Sequence, residues 1–281
     1  MVSPRDRRRA VERLVTERGL SQRHACQLVS IQRSSARYAG HARVDEAEVV
    51  ALIREYAHEQ PMYGYRIIAV MLKHDGFRIN RKRVYRIWRQ EGLQLPRRKV
   101  GKRRFGDSTG KLRRASHPNE VWTYDFLEGC TERGGKLRIL TILDEYTREC
   151  LTIHVARSIS SRQVIQQLEW LFLLRGAPEY LRSDNGPEFI AYALQQWLRD
   201  RQCKTMYIKP GSPWENPFIE SFNGKFRAEC LDRWIFANGH EAQTVIEDWR
   251  QEYNHRRPHS SPGYLPPAAF AEQARLSLNL G

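Results

Sequence analysis

Apolar positions along the chain follow two rhythms, which exchange near residue 120. Before that point the spacing is three and four. Over Arg8–Arg18, Ala10, Val11, Leu14 and Val15 form the stripe of an amphipathic helix, and Gly19 closes it as a C′ residue. Ser21 is placed as the N-cap ahead of Ala25, Leu28 and Val29, and a further short helix covers Ser34 to Tyr38. Helix, glycine turn, helix is the outline of a helix-turn-helix, one that many small bundles share. A second helical group covers 45–92. Glu46 to Glu59 turns Val49, Val50, Leu52, Ile53 and Tyr56 inward and stops at Pro61. Tyr63-Gly64-Tyr65-Arg66 leads into Ile67, Ile68, Val70, Met71 and Leu72, closed by Gly76. Asn80 caps Arg81 to Glu91, and Gly92 ends it. Val84, Ile87 and Trp88 make the inner face of this last helix, leaving Arg81, Lys82, Arg83, Arg86 and Arg89 outward. Such a helix suits insertion into a DNA groove. The alternative is a solvated surface helix, but no acidic residue interrupts the run to form i, i+4 pairs.

Beyond residue 120 the rhythm is that of strands. Val121 to Leu127, Leu137 to Leu143 and Cys150 to Ala156 are separated by turn residues at Gly134-Gly135 and Asp144 to Thr147, predicting an antiparallel meander. Ser160 to Arg175 is an amphipathic helix with Val164, Ile165, Leu168, Leu171 and Phe172 inside. Tyr180 to Ser183 is a short strand, Pro187 to Arg201 a helix, Lys204 to Lys209 a strand, and Pro217 to Asp232 a helix. The order βββαβαβα predicts an α/β fold, a mixed five-stranded sheet with flanking helices. That order is the ribonuclease-H-like one, here preceded by an all-α helix-turn-helix region. The predicted organisation is a helix-turn-helix over 1–42, a second helix-turn-helix-like domain over 43–95, a linker over 96–119, the core over 120–272 and a tail over 273–281.

Composition narrows the class. Of 281 residues 41% are hydrophobic and 28% charged, which is globular rather than disordered. The densest apolar run, Trp170 to Leu174, ends at Arg175 and is too short to span a bilayer. Arg5, Arg7, Arg8 and Arg9 have no apolar stretch behind them, so a signal peptide is not expected. Five separated cysteines without a Cys-x-x-Cys pair argue against a disulfide framework and fit a reducing cytoplasm. The net charge of +15 is uneven: residues 1–119 carry +17 and residues 120–281 carry −2. A basic part joined to a near-neutral part points to a polyanion-binding region attached to something else. The linker holds Arg97, Arg98, Lys99, Lys102, Arg103 and Arg104, spaced without period. It reads as a segment that tracks a phosphate backbone when bound and is mobile when free.

Three carboxylates stand out in the second part. Asp125 lies among Trp122, Tyr124, Phe126 and Leu127, where a solvated charge is out of place; Asp184 ends the fourth strand; Glu220 lies one turn into a late helix. In a ribonuclease-H-like sheet the first and fourth strands are neighbours, so the two aspartates are expected side by side with Glu220 brought across them. Three such charges repel unless divalent cations sit between them. Hard oxygen donors favour Mg²⁺ or Mn²⁺, and two ions suit phosphoryl transfer. Each acid has a plainer reading as edge charge, turn residue or helix-surface charge. Asp144, Glu145, Glu188 and Glu215 compete with them. The spacing favours the triad: 35 residues separate Asp184 from Glu220, and Asn223 and Arg227 follow Glu220 at i+3 and i+7 on one face, with Phe218, Phe222 and Phe226 expected opposite.

These residues resemble the integrase core of retroviral integrases and bacterial transposases, and more closely the OrfB product of the insertion-sequence-three transposases. The matching stretches are Trp122–Phe126, Ser183–Phe189, Ile219–Lys225, and Tyr253–His259 with Gly263-Tyr264; Tyr63–Arg66 through Arg98 resembles the helix-turn-helix segment before the core. The resemblance covers about residues 10–272. It implies an enzyme that binds the terminal inverted repeats of its element, cleaves a 3′ end with metal assistance and transfers that end to another phosphodiester. It implies metal-ligand roles for Asp125, Asp184 and Glu220 and a DNA-contacting role for Arg227. Asn223, Lys225 and Lys209 are taken as further DNA contacts. Partners are then double-stranded terminal-repeat and target DNA, a homo-oligomer on that DNA, and an upstream-frame product fused to this chain or acting beside it. The His-His-Cys-Cys zinc module of retroviral integrases is missing from the sequence; His24 and Cys26 are too few. A nuclease that only hydrolyses, or a DNA-binding regulator, are the competing readings.

Overall fold

The computed structural model describes residues 4–38, 44–96, 114–184, 186–208 and 216–279. The chain divides into two compact units, Met1–Ala51 and Leu52–Gly281. The first holds three helices, α1 (Pro4–Arg18), α2 (Gln22–Leu28) and α3 (Arg33–Arg37), before α4 (Glu46–Glu59) begins. Val11, Ala25 and Cys26 form its small core, flanked by Leu14, Val15 and Val29. Ser21 caps α2 by accepting from the His24 backbone N–H. Leu28, expected inside, is exposed, because Cys26 rather than Leu28 completes the buried face.

In the second unit, α5 (Tyr65–His74) and α6 (Arg81–Gln90) are joined by a turn through Gly76, whose φ of +90° suits glycine alone. Ile68, Leu72, Val84, Ile87 and Trp88 are buried between them. Asn80 Oδ1 accepts from the Lys82 backbone N–H at 2.8 Å. Arg81, Lys82, Arg86 and Arg89 are exposed and Arg83 is half-buried. The linker cations Arg97, Arg98, Lys99, Lys102, Arg103 and Arg104, and also Lys209 and Glu215, lie outside the described residues.

The sheet has five strands in the order β3-β2-β1-β4-β5: β1 (Val121–Cys130), β2 (Lys136–Asp144), β3 (Cys150–Ala156), β4 (Tyr180–Ser183) and β5 (Lys204–Tyr207). β1, β2 and β3 pair antiparallel; β4 and β5 run parallel to β1. This is the mixed ribonuclease-H-like sheet. The two-residue period of β1 sends Trp122 and Tyr124 to one face, where they pack with Leu140, Leu168 and Leu181. Leu127 goes to the other face, with Ile139, Phe222, Phe226 and Ile246. α7 (Ser161–Arg175) covers the first face, and α10 (Pro217–Phe226) and α11 (Gly239–His255) cover the second. Asp125 shares the parity of Thr123 and Leu127 and therefore faces α10.

Two helices differ from the sequence expectation. The stretch from Pro187 to Arg201 breaks at Ala191 (φ −57°, ψ 131°) into α8 (Pro187–Ile190) and α9 (Tyr192–Asp200). Phe189 and Leu198 enter the same core cluster. Nine residues apart on one continuous helix they would lie on roughly opposite sides. The stretch from Pro217 continues beyond α10 as a wide π-helical turn, Arg227–Leu231. Its packed stripe is Ile219, Phe222, Asn223 and Phe226, whereas Phe218 is half-buried beneath the Arg148 guanidinium at 3.7 Å. α11 and α12 (Pro267–Asn279) complete the unit.

Candidate active site

The parallel pairing of β1 with β4 sets Thr123 opposite Arg182. Carried two residues further, the same register brings Asp125 beside Asp184, at the point where β4 ends. Asp184 is exposed, and its Oδ1 accepts from the Gly186 N–H at 3.0 Å, which turns the chain sharply into α8. A Cβ on Gly186 would stand 3.1 Å from that oxygen and 3.4 Å from the Phe189 ring, so the turn is built for glycine.

Asp125 is held from two sides. Its Oδ1 accepts from the Phe126 N–H at 2.8 Å, and its Oδ2 accepts from Asn223 Nδ2 at 2.8 Å. Asn223 is buried, and its Oδ1 accepts from Thr141 Oγ1 at 3.2 Å; Thr141 lies opposite Asp125 across the β1–β2 pairing. The donors are neutral, and no described Lys or Arg forms an ion pair with Asp125. Burial pushes the Asp125 carboxyl up to about 6; the charges of Asp184 and Glu220 add to the rise, and the two N–H donors oppose it.

Glu220 projects from the first turns of α10 and is exposed, as is Arg227 at the start of the π-turn. Lys225 donates to the hydroxyl and carbonyl of Ser221. Asp125, Asp184 and Glu220 are near enough to interact electrostatically. Among the described residues no three His, Cys, Asp or Glu side chains are gathered tightly enough to chelate one ion.

The competing acids have other tasks. Asp144 is buried and accepts from the backbone N–H groups of Asn119, Tyr146 and Thr147, closing the β2–β3 turn. Glu145 forms a buried pair with Arg182 at 2.8 Å. Glu188 pairs with Arg138 at 2.8 Å, and Arg138 lies over the Phe126 ring. Sequence reasoning missed two roles in the Tyr253–His259 stretch. Asn254 bonds both the N–H and the C=O of Cys150, closing part of the free edge of β3. Arg257 forms a buried two-armed pair with Glu229 and lies over Tyr63. The apolar stripe Ala242, Ile246, Trp249 and Tyr253 behind the Asn238 cap was the available signal for α11.

Sheet order, crossing helix and paired aspartates define an integrase-core protein. The comparisons agree: integrase core domain models match residues 115–213 and 201–267, and an HTH-like domain model matches residues 43–100. The 31.7 kDa protein of insertion element IS407 from Burkholderia multivorans is 38% identical over 91% of this chain and 92% of its own length. The 39.2 kDa protein of insertion element IS476 from Xanthomonas euvesicatoria is 36% identical over 98% and 79%. Transposase InsD of insertion element IS2 from Escherichia coli is 28% identical over 82% and 80%. Among solved structures, the HTLV-2 integrase catalytic core domain in complex with magnesium aligns with 56% of this chain and 99% of its own, at 17% identity and a TM-score of 0.43. The chain belongs to the insertion-element transposases of the insertion-sequence-three OrfB type. No helix among the described residues is long and apolar enough to cross a membrane.

Proposed function

We propose that this chain binds the terminal inverted repeats of its insertion element and cuts and joins DNA strands at Asp125, Asp184 and Glu220. One observation carries the reading: the parallel β1–β4 register, continued from Thr123 and Arg182, sets Asp125 beside Asp184, and α10, which carries Glu220, packs against β1. An all-oxygen donor set, with Asp125 held by neutral N–H groups instead of a cation, fits Mg²⁺ or Mn²⁺, two per site. When bound, such ions activate the attacking oxygen and neutralise charge on the leaving one.

The chain's own residues supply the geometry. Asn223 and the Phe126 N–H orient Asp125; the Gly186 N–H orients Asp184. Arg227 and Lys225 meet the phosphates beside the scissile bond, with Lys209 serving the same DNA. The exposed basic residues of α6 hold the duplex, and the linker cations follow its backbone. Function on DNA is as a homo-oligomer, fused to the upstream-frame product or acting with it, in the bacterial cytoplasm. Incubation with a labelled terminal-repeat duplex and Mg²⁺ or Mn²⁺ tests the proposal. Cleaved and joined products are expected; hydrolysis without joining would reduce the protein to a nuclease.

A further inference from the structure

Two sequence motifs take no part in the carboxylate site: Tyr63–Arg66, and Tyr253–His259 with Tyr264. The fold brings them together around a cavity of about 680 Å³ that α10 and the end of β2, with Arg148 of the β2–β3 turn, also line. That volume falls within the range of pockets that enclose small ligands. From α10 come Phe218, Ser221 and Lys225, a stripe beside the one that carries Glu220.

The lining points to a ligand. His259 is only 7% exposed, and its Nε2 is buried with no hydrogen-bond partner among the described residues. The ring bonds the Tyr253 backbone through its other nitrogen. Burial, with Arg257, Lys225 and Arg148 nearby, pushes its pKa down to about 3, so the ring is neutral and Nε2 is a lone-pair acceptor. A buried acceptor left unpaired is costly, and a ligand donor would relieve it. Arg148 Nη1 is likewise buried and unpartnered. The first turn of α5 also lines the cavity, and no side chain caps its N-terminus at Gly64, which leaves backbone N–H groups for an anion. Tyr65 and Tyr264 bring aromatic rings to the lining, while the Phe218 ring is covered by the Arg148 guanidinium.

We propose that this cavity binds one unpaired nucleotide of the DNA on which the protein acts. Arg66, Arg148 and the start of α5 take the phosphate. Tyr65 and Tyr264 take the base between their faces, and His259 Nε2 accepts from a base N–H. Inside a duplex that base edge is paired and stacked and does not reach a buried ring nitrogen; an unpaired base does. The assignment rests on the DNA-processing reading above and adds to it a seat for a displaced or frayed strand.

The test compares the full-length protein on a blunt duplex and on the same duplex with a short unpaired tail, by fluorescence anisotropy. The tail is expected to tighten binding about tenfold, the scale of stacking one base on an aromatic side chain. Arg66→Gln and Tyr264→Gly should each remove most of that gain, and Tyr264→Gly should do so while leaving blunt-duplex affinity and the thermal midpoint unchanged. Glycine also suits the φ of +70° at position 264. A wild-type protein indifferent to the tail, or a preference that survives both substitutions, overturns the proposal. So does tighter binding of free dAMP than of the tailed duplex, which would move the site to free nucleotides. Cleavage of the blunt duplex by the same preparation, with no effect of the tail, would leave the DNA-processing reading standing and sink this one alone.

Discussion

Asn223 donates from its side-chain amide to Asp125 Oδ2 at 2.8 Å, across 98 residues of sequence. The amide therefore serves the carboxylate as a positioning group. Asn223→Ala removes a hydrogen bond to a charged acceptor, worth about 1.5–3 kcal/mol. The strand-cleavage rate should fall roughly ten- to hundredfold. The acidic limb of the pH–rate profile should also move to higher pH, since one of the donors that lowers the Asp125 pKa is gone. An unmoved limb with a lowered rate would make Asn223 a packing residue only.

Asp125 makes stability depend on pH in a defined direction. Its folded pKa of about 6 exceeds the ordinary 3.8, so between those values the native state holds a proton that the unfolded chain has released. Stability from this group is full below about pH 4 and is lost as pH rises through about 6, by up to about 3 kcal/mol. Urea titrations of metal-free protein should show this fall, and Asp125→Asn should flatten it. Above pH 6, added Mg²⁺ should stabilise the wild type more than the variant. Equal stabilisation of both would remove Asp125 from the metal site.

The Glu229–Arg257 pair is buried, so removing one partner strands the other's charge. Glu229→Ala should cost about 3–5 kcal/mol in a denaturant titration. A loss below about 1 kcal/mol would mean that the pair is solvated in solution.

Much of this architecture was legible in the sequence. Cys150–Ala156 and Tyr180–Ser183 hold the bounds their β-branched and aromatic runs predict, and Asn80 caps α6 as its position implies. The strand order implied that Asp125 and Asp184 are neighbours. The break at Ala191 was hidden, because it answers to where Phe189 and Leu198 pack rather than to any local turn signal. The Asn223–Asp125 and Arg257–Glu229 contacts were hidden for a related reason. Periodicity assigns a residue to a face but does not name the polar partner that meets it there.

Arg227 and the α6 cations should separate experimentally. Arg227→Ala should lower the single-turnover rate of cleavage and joining more than affinity, by about 1.5–3 kcal/mol for one charge-assisted contact. Lys82→Ala with Arg86→Ala should weaken terminal-repeat binding and leave the rate at saturating DNA nearly unchanged. The reverse pattern would refute this division of labour.

The most direct test of the account is Asp184→Asn, assayed for both binding and chemistry on one labelled terminal-repeat duplex with Mg²⁺. A neutral amide is a poor ligand for a hard cation, and the Oδ1 acceptor for Gly186 can be kept. The account predicts that cleavage and joining are lost while affinity for the duplex stays within about threefold of wild type. Undiminished cleavage and joining by this variant would contradict it.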